Sequence, residues 1–297
     1  MNITKKIHPQ GKSLLRLLRS TPDNLAPALS EGQRPPATIY ALSLTRTLRR
    51  MDDVLAGLKA YTLSTQLGVH DGADQNLAAS TEELLTQLAR HGDDCRSIVS
   101  AYFGPEADAS RRFASSIKSL TEARELQARY LSQHSGRVCL ISFMAPSVII
   151  SGFFIEGPDA QGRLGPCPVV HGEQNAAFSW NLFFRKVLIE LVSLNSRVYE
   201  AVAGAGIREN NAITASENTD LIRMAKRVSE LPVYVFPDEA RGTLPAIAVK
   251  RDVQGESATV AASSLKKPLL PPGRCTISVS AEAEKLGEGY RVPYAGN

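Results

Sequence analysis

The chain has 297 residues, 43% of them hydrophobic and 22% charged; this composition excludes global disorder and supplies a sizeable core without disulfide staples. Aromatics are only 6%, so that core rests mainly on Leu, Ile, Val and Ala. The net charge of +4 is uneven, with +6 in residues 1–60 and −2 in the remainder, and a basic end on a near-neutral body points to a polyanionic partner.

Cys95, Cys139, Cys167 and Cys275 lie far apart and form no Cys-x-x-Cys pair. Unpaired thiols in a reducing, cytoplasmic setting fit this pattern better than a disulfide framework. MNITKKIHPQGK has no apolar run behind its lysines, so a secretory leader is not expected.

Residues 1–36 read as a basic arm and linker. Within them Lys12 to Ser20 is a short basic amphipathic stretch, and Arg34-Pro35-Pro36 marks the break, because proline removes a donor and restricts the residue before it. Residues 37–135 read as a helical bundle region. Leu44, Leu48, Met51, Leu55 and Leu58 follow steps of four and three and line one helix face. A second helix is predicted from Ser80, where Ser80-x-x-Glu83 has the form of a capping box; its apolar face is Leu84, Leu88, Cys95, Ile98 and Tyr102. A third runs from about Ala109 to Ser132, with Phe113, Ile117, Leu120 and Tyr130 inward. Short polar loops make an antiparallel bundle of the three.

Residues 136–297 read as a mixed region built around a helix at 176–203. Val138 to Ile155 carries no charge over 18 residues, which touches the lower length limit for a membrane span. Pro146, Gly152 and heavy β-branching favour two short buried strands instead, with the break at Ala145-Pro146. The helix at 176–203 keeps Trp180, Phe184, Val187, Leu191, Leu194, Val198 and Ala201 in register, with Arg185, Lys186, Glu190, Arg197 and Glu200 on the rest of its circumference. Thr214-x-x-Glu217 is a second capping box, opening a helix with Leu221, Ala225 and Val228. Short β runs follow at 233–236, 246–249, 258–261, 275–279 and 290–292, separated by Gly, Pro and Asp turns. The expected class is therefore α+β, with a helical N-terminal half and a mixed C-terminal half that combines a long central helix with several short strands.

Chemical signatures are sparse. His8, His70, His91, His134 and His171 form no pair at metal-ligand spacing. The cluster of His91, Asp93, Asp94 and Cys95 lies on a predicted helix whose neighbouring side chains diverge, so it reads as solvated helix surface. Gly204-x-Gly206 follows a helix instead of a strand and reads as a C-cap; Gly287-x-Gly289 reads as a turn. His171-Gly172-Glu173 is the one loop cluster with residue types suited to a catalytic site, without visible partners. No catalytic residue, metal ligand or cofactor is assigned.

Thr38 to Leu44 followed by Thr45 to Leu58 also resembles the first strand and helix of a ribbon-helix-helix DNA-binding unit. The groove face of such a strand would be Ile39, Ala41 and Ser43, which lack the side chains that read base edges. A helix that begins a turn earlier is the preferred reading. The expected function is a non-enzymatic nucleic-acid-binding protein, with Lys5, Lys6, Lys12, Arg16, Arg19, Arg46, Arg49 and Arg50 on the phosphate backbone of DNA or RNA. The alternative is a structural or assembly subunit that self-associates, or meets protein partners, through its arm and apolar strands. No membrane partner is expected.

Overall fold

A computed structural model describes residues 3–28, 32–67, 73–133, 138–145, 148–155, 177–231, 243–252, 255–264 and 276–279. The element order is β1 (Ile3–Ile7), α1 (Leu14–Arg19), a short 3-10 turn at Asp23–Leu25, α2 (Pro36–Leu67), α3 (Ala73–Phe103), α4 (Asp108–Gln133), β2 (Val138–Ala145), β3 (Val148–Ile155), β4 (Ala177–Ser179), α5 (Trp180–Gly204), α6 (Glu217–Ser229), β5 (Thr243–Asp252), β6 (Gly255–Ser264) and β7 (Thr276–Val279). The described chain is mostly helical with small antiparallel sheets, an arrangement compatible with the α+β class.

The stripe of Leu44, Leu48, Met51, Leu55 and Leu58 is buried throughout. Helix α2 packs against α3, which in turn packs along α4. Proline at the first position of α2 fits a site where no intrahelical N–H is needed. The helix runs through Thr38–Leu44, so the strand of a ribbon-helix-helix unit is not formed there. Helix α3 begins at Ala73, seven residues before Ser80. Ser80 and Glu83 are therefore interior helix positions, and Glu83 is half exposed and paired with Arg50 at 2.7 Å. The local pattern of a capping box was present, but the apolar face already reaches back to the buried Leu77.

Helix α5 is central. It touches α1, α3, α4, α6 and strands of both sheets, and Phe184, Val187, Leu188, Leu191, Leu194, Val198 and Val202 are buried on it. Arg185, expected on its outer circumference, is buried instead. Its guanidinium donates to the carbonyls of Ser229 and Leu231, the latter at 2.8 Å, and so meets the negative end of α6. The helix ends at Gly204, and Gly206 takes φ +88° while its N–H bonds the Ala203 carbonyl. That left-handed glycine is the cap read from the sequence.

One sheet has the order β1-β6-β5 and the other β4-β3-β2-β7, both antiparallel among the described strands. Val138–Ala145 and Val148–Ile155 pair antiparallel, with Ala145 opposite Val148; the break expected at Pro146 lies outside the described residues. No helix among the described residues is long and apolar enough to cross a membrane. The β runs expected at 246–249 and 258–261 fall within β5 and β6, and residues 276–279 of the run expected at 275–279 form β7; Cys275 and the runs at 233–236 and 290–292 lie outside the described residues.

Strand β1 and helix α1, which the sequence groups into an arm, are tied into the body. β1 pairs with β6 from Ile3↔Ala262 to Ile7↔Ala258, and Leu14, Leu15, Leu17 and Leu18 are all buried.

Helices α3 and α4 approach closely at Gly92, where a Cβ would fall well inside contact distance of the Thr121 methyl. Gly92→Ala should raise helix propensity by about 1 kcal/mol, yet it is expected to destabilise. Overpacking costs about 1–3 kcal/mol, and the β-branched Thr121 is stiff at χ1. Its urea midpoint should fall, and adding Thr121→Ser should recover the loss; a midpoint that rises would mean the helices are not this close.

Candidate functional site

The N-terminus of α1 shows how the site is assembled. A helix leaves its first N–H groups without intrahelical partners, and here each of four finds one. Ser13 N–H donates to Glu209 Oε1 at 3.1 Å, Leu14 N–H to Glu217 Oε1 at 2.6 Å, Leu15 N–H to Glu217 Oε2 at 2.7 Å, and Arg16 N–H to Ser13 Oγ at 3.0 Å. Glu209 also pairs with the Arg16 guanidinium. Asn218 Nδ2 donates to the carbonyls of His8 and Lys12 at 2.9 and 3.2 Å. Residues 8–16 are thus clamped to the loop before α6 and to its first turn.

This revises the second capping box. Ser216, not Thr214, precedes α6, and it makes no side-chain cap bond. Glu217 reaches across to α1 instead. Burial pushes the Glu217 carboxyl up to about 7, against the pull of the two amide donors.

Behind this clamp runs a buried polar chain. Ser43 Oγ on α2 lies 2.9 Å from His91 Nδ1 on α3, and His91 Nε2 lies 3.4 Å from Asn195 Oδ1 on α5. Cys95 Sγ lies 3.8 Å from the same Nε2. The Tyr40 ring sits 6.2 Å from the imidazole between centroids. Two members of the cluster read as solvated surface, His91 and Cys95, are therefore core and fully buried, whereas Asp93 stays at the surface, paired with Arg96. The spacing held the signal, since His91 falls between Leu88 and Cys95 on the apolar stripe at steps of three and four. Burial lowers His91 to about 4, only partly offset by Asn195, and raises the Cys95 thiol. A neutral imidazole and an un-ionised thiol suit structure more than reaction. Among the described residues no group of three His, Cys, Asp or Glu can hold a metal ion. The His171–Glu173 loop lies outside the described residues.

Two cavities open beside the clamp, and Glu217 lines both. The first, of about 270 Å³, lies between the β1–α1 segment and helices α5 and α6; Lys5, Lys6, His8, Lys12, Asn195 and Asn218 are among its walls. The second, of about 290 Å³, lies between α1, α2 and α6 and includes Arg19, Tyr40, Arg49, Asp52, Asp220 and Arg223.

The eight basic residues singled out by the sequence are divided between these places. Lys5, Lys6 and Lys12 come together around the first cavity, with the Lys12 ammonium 5.4 Å from the Tyr199 ring centre. Arg19 and Arg49 line the second, and Arg19 donates to the Thr214 carbonyl. Arg16 is committed to Glu209. Arg50 pairs with Glu83 and, at 3.4 Å, with Asp53. Arg46 is exposed on α2. The roles of Glu217, Asn195 and His91 escaped the sequence reading because they rest on partners more than 100 positions away or on another helix.

No protein-family model, curated protein or solved structure matches the chain at a significant level.

The buried pair Glu217 and His91 sets opposed pH dependences. As pH rises toward about 7, folded Glu217 keeps a proton that the unfolded chain has released, so its share of stability is lost on the way up. As pH falls below about 6.5 toward about 4, the unfolded chain protonates His91 and the folded chain does not, so that share is lost on the way down. Each is worth up to about 3 kcal/mol across its window. Relative to the parent, Glu217→Gln should gain stability as pH rises from 5 to 7, and His91→Gln should lose it, in urea midpoints taken along the pH series. Parallel curves for all three proteins would mean that neither group is buried as described.

Proposed function

We propose that this chain is a non-enzymatic protein that binds a polyanion, nucleic acid first among them, through the phosphate backbone. The observation that carries the reading is the gathering of Lys5, Lys6 and Lys12 around one opening, on a segment that the Glu217, Glu209 and Asn218 contacts hold rigid. Pre-placed cations lose less side-chain and backbone entropy on binding than cations on a free arm. Arg46, exposed on α2, and Arg19 and Arg49 at the second cavity extend the basic surface. Arg16 and Arg50 contribute less, because their charges are already matched by Glu209 and by Glu83 with Asp53. Contacts of this kind give affinity without sequence choice, and a cytoplasmic setting accords with the thiols.

Replacing Lys5, Lys6 and Lys12 together by Gln should weaken binding to unrelated DNA and RNA sequences alike. The slope of log affinity against log salt should shrink by up to about 0.9 per lost contact on duplex DNA, or about 0.7 on single strands. Arg50→Gln should change it far less. Absence of binding to DNA and RNA at low salt, where electrostatic attraction is least screened, would end the reading.

A second reading, assembly with further copies or a protein partner, is favoured by one feature. In the sheet β1-β6-β5 the outer edge of β5 carries no strand among the described residues, and an open edge is a template for pairing. Light scattering of the full chain should then report a mass above the monomer; a monomer at high concentration would exclude self-pairing.

A further inference from the structure

The first cavity has donors left over. Both oxygens of Glu217 are taken by the Leu14 and Leu15 amides, and Asn218 Nδ2 is taken by two carbonyls. Asn195 and His8 are different. Asn195 is 7% exposed, and its Nδ2 is buried with no hydrogen-bond partner. Its Oδ1 faces His91 Nε2, whose proton it accepts if Ser43 donates to Nδ1, which leaves Nδ2 as a spare donor. His8 Nδ1 accepts from the Gln10 N–H at 3.2 Å; its Nε2 then carries the proton, and that atom is also buried without a partner. A buried donor without an acceptor costs free energy, and these two belong to walls of the same space.

The rest of the lining is graded from the outside in. Lys6 and Lys12 are exposed and Lys5 is half-buried, whereas Leu14, Val192 and Leu221 are buried. The cavity thus has a mouth formed by three lysines and the exposed Glu200, aliphatic walls and two spare donors. Its volume of about 270 Å³ corresponds to roughly nine waters at bulk density, below the range of drug-sized sites.

We infer that this cavity is a binding site for a small organic monoanion, with its anionic group among Lys5, Lys6 and Lys12, a short aliphatic body against Leu14, Val192 and Leu221, and an uncharged carbonyl or hydroxyl oxygen accepting from Asn195 Nδ2 and His8 Nε2. The distal group is uncharged because Glu217 borders the same space, and a second negative charge would face its carboxylate. The site goes beyond the polyanion reading and does not rest on it, since backbone phosphates would need only the lysines at the rim.

The test is calorimetric and ligand-observed NMR titration of the full chain with levulinate, pentanoate, glutarate and inorganic phosphate. Levulinate carries a carboxylate and a distal ketone, pentanoate lacks the ketone, and glutarate replaces it with a second carboxylate. Levulinate should bind saturably at one site, tighter than pentanoate by about threefold to tenfold for one net hydrogen bond, with glutarate and phosphate weaker still. Asn195→Leu should shrink the preference for levulinate over pentanoate while keeping some affinity for both. Should that variant fail to fold, His8→Ala, at a half-buried position in the turn after β1, reads the second donor in the same way. Lys12→Gln, at an exposed position, should weaken every anion. Levulinate and pentanoate binding alike, Lys12→Gln without effect, or no saturable binding of any probe would each overturn the assignment.

Discussion

A single carboxylate placed across the start of a short helix holds the N-terminal segment and the later part of the chain in one body. Helix α1 has six residues, too few to persist alone, because helix nucleation is unfavourable and each hydrogen bond gained is offset until several turns form. Its four leucines stabilise it only if the segment docks, and docking buries its first amide groups away from water. Glu217 satisfies two of them with one side chain. The negative charge also lies where the helix dipole favours it, which helps a carboxylate remain in a buried site that otherwise drives its acidity down.

Much of the remaining architecture follows from that docking. With α1 fixed, β1 is delivered to the edge of β6 and completes the three-stranded sheet. With β1 and the following turn fixed, Lys5, Lys6 and Lys12 are carried to the rim of the cavity beside α5 and α6. Helix α6 is tied at both ends by charged side chains: its first residue, Glu217, accepts from the α1 amides, and Arg185 of α5 donates to the carbonyls of Ser229 and Leu231 at its other end. Charged groups that a linear reading places on outer faces are thus used as partners for helix ends. The arrangement is consistent with the strong tendency of buried polar groups to be hydrogen-bonded.

The interior also accommodates polarity that does not serve a helix end. Ser43, His91 and Asn195 link α2, α3 and α5 through side chains alone, and directional bonds of this kind fix the relative register of three helices more narrowly than aliphatic contacts do. Asn195 then connects this chain to the cavity, so the same residue is part of the core and part of a wall. The exposed ion pairs, such as Arg111 with Asp108, matter much less, because solvent screening leaves surface pairs little net stabilisation.

How much of this was legible varies by element. The helix at 44–58 and the long helix ending at Gly204 were readable because their apolar residues repeat at helical spacing, and burial of one face is what such spacing is for. The strand pair within 138–155 was readable from β-branching and a proline. The two capping boxes misled, since Ser or Thr followed three residues later by Glu is only a local pattern: at Ser80 the helix had already begun, and at Thr214 the glutamate had a better use on α1. The same limit applies to the candidate site. Composition and local spacing determined which segments would bury an apolar face and where positive charge would concentrate. Only the tertiary structure decided which charges would be neutralised, which would surround a cavity and which polar groups would enter the core, because those outcomes depend on partners far apart in the chain, whose proximity no local period encodes.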